Sequence, residues 1–160
     1  MLNLTQKERM LLQDQKKHEE ICIQKYQSYA AQTQCPQLKQ LFTTHAQHEQ
    51  QHLNTINQLL AGQIPSMPQG GGQQNQQQSK QLGRQSFQQQ QQGTGNPHDA
   101  FLCTDLLSTE KYVSGTCDTA IFECTNPQVR QLLNHIQKEE QQHGQDIFLY
   151  MQSKGMYNPQ

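Results

Sequence analysis

The sequence predicts an all-α protein: four amphipathic helices arranged as two helical hairpins that pack into one four-helix bundle. Three observations predict it. Apolar residues recur at three- and four-residue steps over four separate stretches of the chain. Two proline breaks, Cys35-Pro36 and Asn126-Pro127, divide those stretches into two pairs with tight turns. The second pair repeats the first at a fixed offset, the 91-residue step from Pro36 to Pro127. At that offset Gln40-Leu41 falls on Gln131-Leu132, and Glu49-Gln50-Gln51-His52 falls on Glu140-Gln141-Gln142-His143. One hairpin cannot bury its apolar face alone, so the two are expected to pack together about a pseudo-two-fold axis.

The helices follow in order. Residues 5 to 33 read as the first, with Thr5 as N-cap and Glu8 in capping-box spacing. Its inward stripe is Leu12, Gln15, Glu19, Cys22, Tyr26, Tyr29 and Thr33. The second runs from Pro36 to about Leu60, where Gly62 caps it and Pro65 forbids continuation. The third covers about 98 to 124, with Cys103, Leu106, Glu110, Val113, Cys117, Ala120 or Ile121, and Cys124 inward. The fourth ends near Ser153 and is capped by Gly155. Its inward face is Leu132, Leu133, Ile136, Glu140, His143, Ile147 and Tyr150. The expected organisation is an N-terminal hairpin over 1–62, a Gln/Gly/Pro-rich low-complexity linker over 63–97, and a C-terminal hairpin over 98–155. The linker has almost nothing apolar to bury and is expected to be disordered or weakly ordered. About 30 residues of coil at ~3.3 Å each can cross the length of a bundle, so a long crossover is expected between the hairpins.

Composition removes several function classes. A net charge of -1 gives no basic footprint for nucleic acid and no polybasic membrane patch. No stretch approaches the ~18 apolar residues of a membrane span. The start MLNLTQKERM lacks the ~7–15-residue apolar core of a signal peptide, so synthesis and retention in a cytoplasm are expected. The 32% apolar content is low because the chain carries 35 glutamines, many in the linker. Five cysteines form no C-x-x-C pair, and an odd number cannot all pair within one chain. They read first as small hydrophobes; intermolecular cross-linking is the alternative.

The candidate site lies on the inward stripes. Glu140 and His143 stand at i and i+3 on an otherwise apolar face, and Glu49 and His52 stand in the same relation. Measured from the turns, Glu19 lies level with Glu49 and His52, and Glu110 lies level with Glu140 and His143. Six residues therefore converge on one slice: Glu19, Glu49, His52, Glu110, Glu140 and His143. A Glu from each of two helices and a Glu-x-x-His from each of the others is the ligand set of the carboxylate-bridged di-iron and di-manganese bundles, and one long crossover is their ferritin-like topology. Buried carboxylates without counter-charge cost several kcal/mol each, and two divalent cations would neutralise four. Oxygen-rich sites with two imidazoles suit iron or manganese, with zinc as an alternative. His45 is expected to be semi-buried, with a supporting role at the site as the alternative; Glu139 is expected outward, and His18, His98 and His135 at the surface. Tyr26 reads as core packing within reach of the site.

The stretches DLLSTEKY, DTAIFE, NPQVRQLLNHIQKEEQQHGQDIF and KGMY resemble the coat F family of bacterial spore coat proteins. CIQKYQSYAAQT and HEQQHLNTINQLL are similar to the N-terminal segment of such proteins. The resemblance implies a ferritin-like bundle in the endospore coat, deposited from the mother-cell cytoplasm among other spore coat proteins. It implies no established reaction. Two function classes follow: a structural coat component, or a di-metal redox enzyme that consumes peroxide or oxidises iron. The first would use glutamine with Lys7, Lys16, Lys17, Lys25 and Lys80, or cysteine and tyrosine, for cross-links; homo-oligomerisation stays open.

Overall fold

The computed structural model describes residues 2–67 and 95–159. These form four helices: α1 Gln6–Gln32, α2 Pro36–Leu60, α3 Pro97–Glu123 and α4 Pro127–Ser153. No strand occurs among the described residues. Most of the expected linker, including Lys80, lies outside them. Pro97 is the first residue of α3 rather than the last of the linker. Its fixed φ suits a first helical turn, and the Asn96 side chain before it accepts the His98 N–H.

Local chemistry sets the ends. Thr5 and Glu8 form a reciprocal capping box on α1. Asn126 accepts from the N–H groups of Gln128 and Val129 at the start of α4. Cys35 makes no side-chain cap, so α2 begins on Pro36 alone. Gly62 (φ 81°) and Gly155 (φ 67°) follow α2 and α4 in the left-handed conformation that a side chain would strain.

Cross-helix contacts give the directions. Gln15 Nε2 donates to Thr116 Oγ1 and Lys25 Nζ to Asp105 Oδ2, so α1 and α3 run antiparallel. His45 lies by Asp146 and His52 by Glu139, so α2 and α4 are antiparallel too. With antiparallel hairpins, α2 and α3 then point the same way. Residues 64–67 lie beside Gln128, Gln131 and Leu132, at the start of α4. The Gly95 N–H donates to the Lys154 carbonyl, at its end. A 27-residue helix separates these points by ~40 Å.

The core has two apolar blocks. One gathers Tyr26, Phe42, Leu102, Leu106, Ile147 and Tyr150. The other gathers Leu12, Ile56, Leu59, Val129, Leu133 and Ile136. Each large side chain buried there contributes ~1.5–3 kcal/mol. On α1, α2 and α4 the candidate site residues fall between the blocks, so apolar packing closes the polar layer on both sides. Cys22, Cys103, Cys117 and Cys124 are buried and free, and Cys35 is half-buried and free. Burial pushes the Cys103 thiol up to about 12 and Cys124 up to about 11. Buried in this way, the four fill the core as small hydrophobes.

Candidate metal centre

Glu19, Glu49, His52, Glu110, Glu140 and His143 all lie in one layer, and none is more than 2% exposed. They form two overlapping groups. Glu19, Glu49, His52 and Glu140 can each present one ligand atom within 4.8 Å of the others, and so can Glu49, Glu110, Glu140 and His143. Glu49 and Glu140 belong to both groups. Each directs one oxygen to each imidazole: Glu49 Oε2 is 3.3 Å from His52 Nδ1 and Oε1 is 2.9 Å from His143 Nδ1. Glu140 Oε1 is 3.1 Å from His52 Nδ1 and Oε2 is 3.5 Å from His143 Nδ1. Glu19 approaches only His52, at 3.5 Å, and Glu110 only His143, at 3.5 Å. The i, i+3 spacing on α2 and α4 produces this pattern by stacking carboxylate and imidazole on one face.

The donor set fits a cation. Both oxygens of Glu19, and Oε2 of Glu49, Glu110 and Glu140, are buried without a hydrogen-bond partner. Buried polar atoms are otherwise nearly always satisfied. These five point into one layer and are hard oxygen donors, beside two imidazole nitrogens.

The protonation states show how the layer balances its charge. Burial raises Glu19 and Glu110 well above the usual carboxylate range. Burial also opposes charge on the other four, but their mutual contacts prevail. The hydrogen bond from His143 and the nearby His52 imidazole hold Glu49 low. Glu140 is held low as well, by the same two imidazoles against burial and the Glu49 charge. His52 and His143 are raised well above the usual imidazole range by their carboxylate partners. These directions favour protons on Glu19, Glu110 and both imidazoles and charge on Glu49 and Glu140, so the opposite charges of the layer offset one another.

A second ring of side chains surrounds it. His52 Nε2 lies 2.7 Å from Glu139 Oε2. His143 Nε2 lies 3.1 Å from His48 Nδ1. The Tyr26 hydroxyl donates to Glu110 Oε1, and burial then Glu110 push that phenol well above its usual range. Tyr26 packs on Phe42 as expected and reaches the site as well. His45 is 1% exposed, not semi-buried: it stacks on His143 at 4.2 Å and contacts Asp146 at 3.2 Å. Burial lowers its pKa to about 4. Glu139 is half-buried and turned back to His52, not outward. His98 is exposed, whereas His18 sits edge-on to Tyr112 and His135 lies 3.5 Å from Glu139, both half-buried. His48 and Asp146 were not expected at the site. Their signal was only adjacency to the inward stripe.

The Coat F domain family matches the chain over residues 98–160. No curated protein and no solved structure matches it. The match takes in Glu110, Glu140 and His143 and leaves the N-terminal hairpin, with Glu19, Glu49 and His52, uncovered. Over residues 98–160 the chain is thus similar to the Coat F domain, which supports a relation to the coat F family of spore coat proteins.

Proposed function

We propose that the protein is a structural component of the bacterial endospore coat, built on a ferritin-like bundle that holds two divalent cations. Glu19, Glu49, His52 and Glu140 would hold one, and Glu110, Glu49, Glu140 and His143 would hold the other, with Glu49 and Glu140 common to both groups. The observation that carries the metal site is the pair of buried, overlapping ligand groups, five of whose carboxylate oxygens lack a hydrogen-bond partner. The Coat F domain supports residence in the coat, after synthesis in the mother-cell cytoplasm, among other coat proteins. The positions of residues 67 and 95 beside opposite ends of α4 support a crossover between the hairpins. Iron or manganese suits the donor set. A bound pair would supply Lewis-acid or redox chemistry, and the protein fixes its ligands and keeps water out.

Metal analysis of protein purified without chelator tests the site. We expect about two Fe or Mn per chain, the capacity of two ligand groups sharing two carboxylates, falling to near zero in the Glu49→Ala/Glu140→Ala double variant. Full-length wild type with no bound metal, after exposure to excess Fe(II) and Mn(II), overturns the reading. Fluorescent fusions that fail to localise to the coat of sporulating cells overturn the coat assignment.

A further inference from the structure

We propose that the two cation positions are unequal, and that the one on Glu19 and His52 fills first, because Glu139 backs His52 whereas only a neutral imidazole, His48, backs His143. The inference rests on the two-cation reading.

In both ligand histidines Nδ1 faces the carboxylates and Nε2 faces away. A cation takes the Nδ1 lone pair, so Nε2 must carry the proton. What accepts that proton sets how strongly Nδ1 donates to the metal. On one side the acceptor is the Glu139 carboxylate at 2.7 Å. The bond is charge-assisted, about twice as strong as a neutral one, and it adds a negative charge near that cation. On the other side the acceptor is His48 Nδ1 at 3.1 Å, which is longer and uncharged. The nearby carboxylate of Asp146 is directed to His45 and not to His143. Glu139 and His48 occupy corresponding places, 91 residues apart, so the difference is a substitution at one point of the same design.

A second contact acts in the same direction. Tyr26 donates to Glu110 Oε1, which draws charge from a carboxylate of the His143 position. The corresponding residue, Cys117, turns to Gln15 Oε1 instead, and both Glu19 oxygens stay free for metal. The Glu19/His52 position thus has the better-supported imidazole and the less encumbered carboxylate.

Mn(II) titration of the chelator-stripped full chain, with free Mn(II) read by electron paramagnetic resonance, tests this. Supporting contacts of this kind change metal affinity about 10–100-fold, so two binding steps at least ~10-fold apart are expected. Glu19→Ala should abolish the tighter step and Glu110→Ala the weaker. Glu139→Gln keeps the shape and removes the charge; it should weaken the tighter step by about 10-fold or more and spare the other. Tyr26→Phe should strengthen the weaker step. Circular dichroism melts confirm that each variant is folded. Two equal steps in the wild type, or a Glu139→Gln effect confined to the weaker step, overturn the inequality and leave the two-cation reading standing. No Mn(II) or Fe(II) binding at all overturns that reading and the inequality with it.

Discussion

The two hairpins place the same three polar residues in the core and surround them differently. Glu19 and Glu110, Glu49 and Glu140, and His52 and His143 correspond across the 91-residue step. Around them His45 corresponds to Ile136, His48 to Glu139, Tyr26 to Cys117 and Glu8 to Asp99. The difference separates two kinds of constraint. The central six must balance charge in a layer with no water-facing atoms, and removing one leaves its partners uncompensated. The surrounding ring tolerates different residues: an isoleucine fills the place of a histidine paired with an aspartate, and Glu139 and His48 back the two imidazoles with different chemistry. The bundle ends show the same contrast. Glu8 accepts from the N–H groups of Thr5 and Thr125 and from the Thr125 hydroxyl, so it fastens the start of α1 to the α3–α4 turn. Asp99, its counterpart, is buried with Oδ1 lacking a partner.

The largest expected effect tests whether the central layer behaves as one charge-balanced unit. Without metal, Glu49→Ala and Glu140→Ala each leave two imidazoles short of counter-charge, and breaking such a buried pair costs ~3–5 kcal/mol. Urea denaturation of the two variants should give similar losses. A loss under about 1 kcal/mol in either, small beside that cost, would mean that the layer does not act as a pair of matched halves.

The pH dependence of the same layer comes next. Glu19, Glu110, His52 and His143 all have raised values in the fold, so the folded state holds more protons than the unfolded chain. Below about 6.5 the lowered values of His45 and His48 act against the two acids, so the stability of the metal-free protein is expected to fall as pH rises above about 6.5, through the raised imidazoles. Metal binding displaces those protons, so cation affinity must rise with pH over the same window. Thermal melts with and without Mn(II) from about pH 6.5 upward should show opposite trends. Parallel curves would sink the assignment.

Glu8 sharpens the comparison of the bundle ends. Burial opposes its ionisation, but hydrogen bonds from Thr125 and Thr5 lower its pKa to about 2. A depressed carboxylate stabilises above its unfolded value and loses that contribution as pH falls, here from about 4.5 to about 2. Glu8→Ala should cost ~2–3 kcal/mol at pH 7 through the lost cap and charge-assisted bonds. Asp99→Asn, where Oδ1 has no partner, should cost under ~1 kcal/mol in the same measurement. The smallest effect is at the surface. Lys7 pairs with Glu123 at 2.7 Å in an exposed setting, and Lys7→Ala should change stability by no more than ~0.5 kcal/mol.

The helices and the central six were legible in sequence because both follow from period and register. A 3.6-residue repeat names a face, proline and glycine name its ends, and counting from Pro36 and Pro127 sets the depth of Glu19 and Glu110. The surrounding ring was not legible for a physical reason. His48 and Glu139 are each the residue before a ligand glutamate, so they sit at the edge of the inward stripe, ~100° around the helix. Whether such a side chain turns outward or back to a neighbouring imidazole depends on the facing helix, which periodicity does not describe. Tyr26 meeting Glu110, and Asp146 meeting His45, are likewise contacts between helices from different hairpins. Expectations for residues 68–94 fall outside the described residues.

The polar layer has one further consequence. Two imidazoliums, two carboxylates and two neutral acids carry the same net charge as four carboxylates, two neutral imidazoles and two divalent cations. On the two-cation proposal the bundle would act as an ion exchanger, giving up protons as it takes up cations. Folding need not wait for metal. A chain could assemble in its proton form, load afterwards from whatever cation pool surrounds it, and be stripped again by acid without its core ever carrying an unbalanced charge.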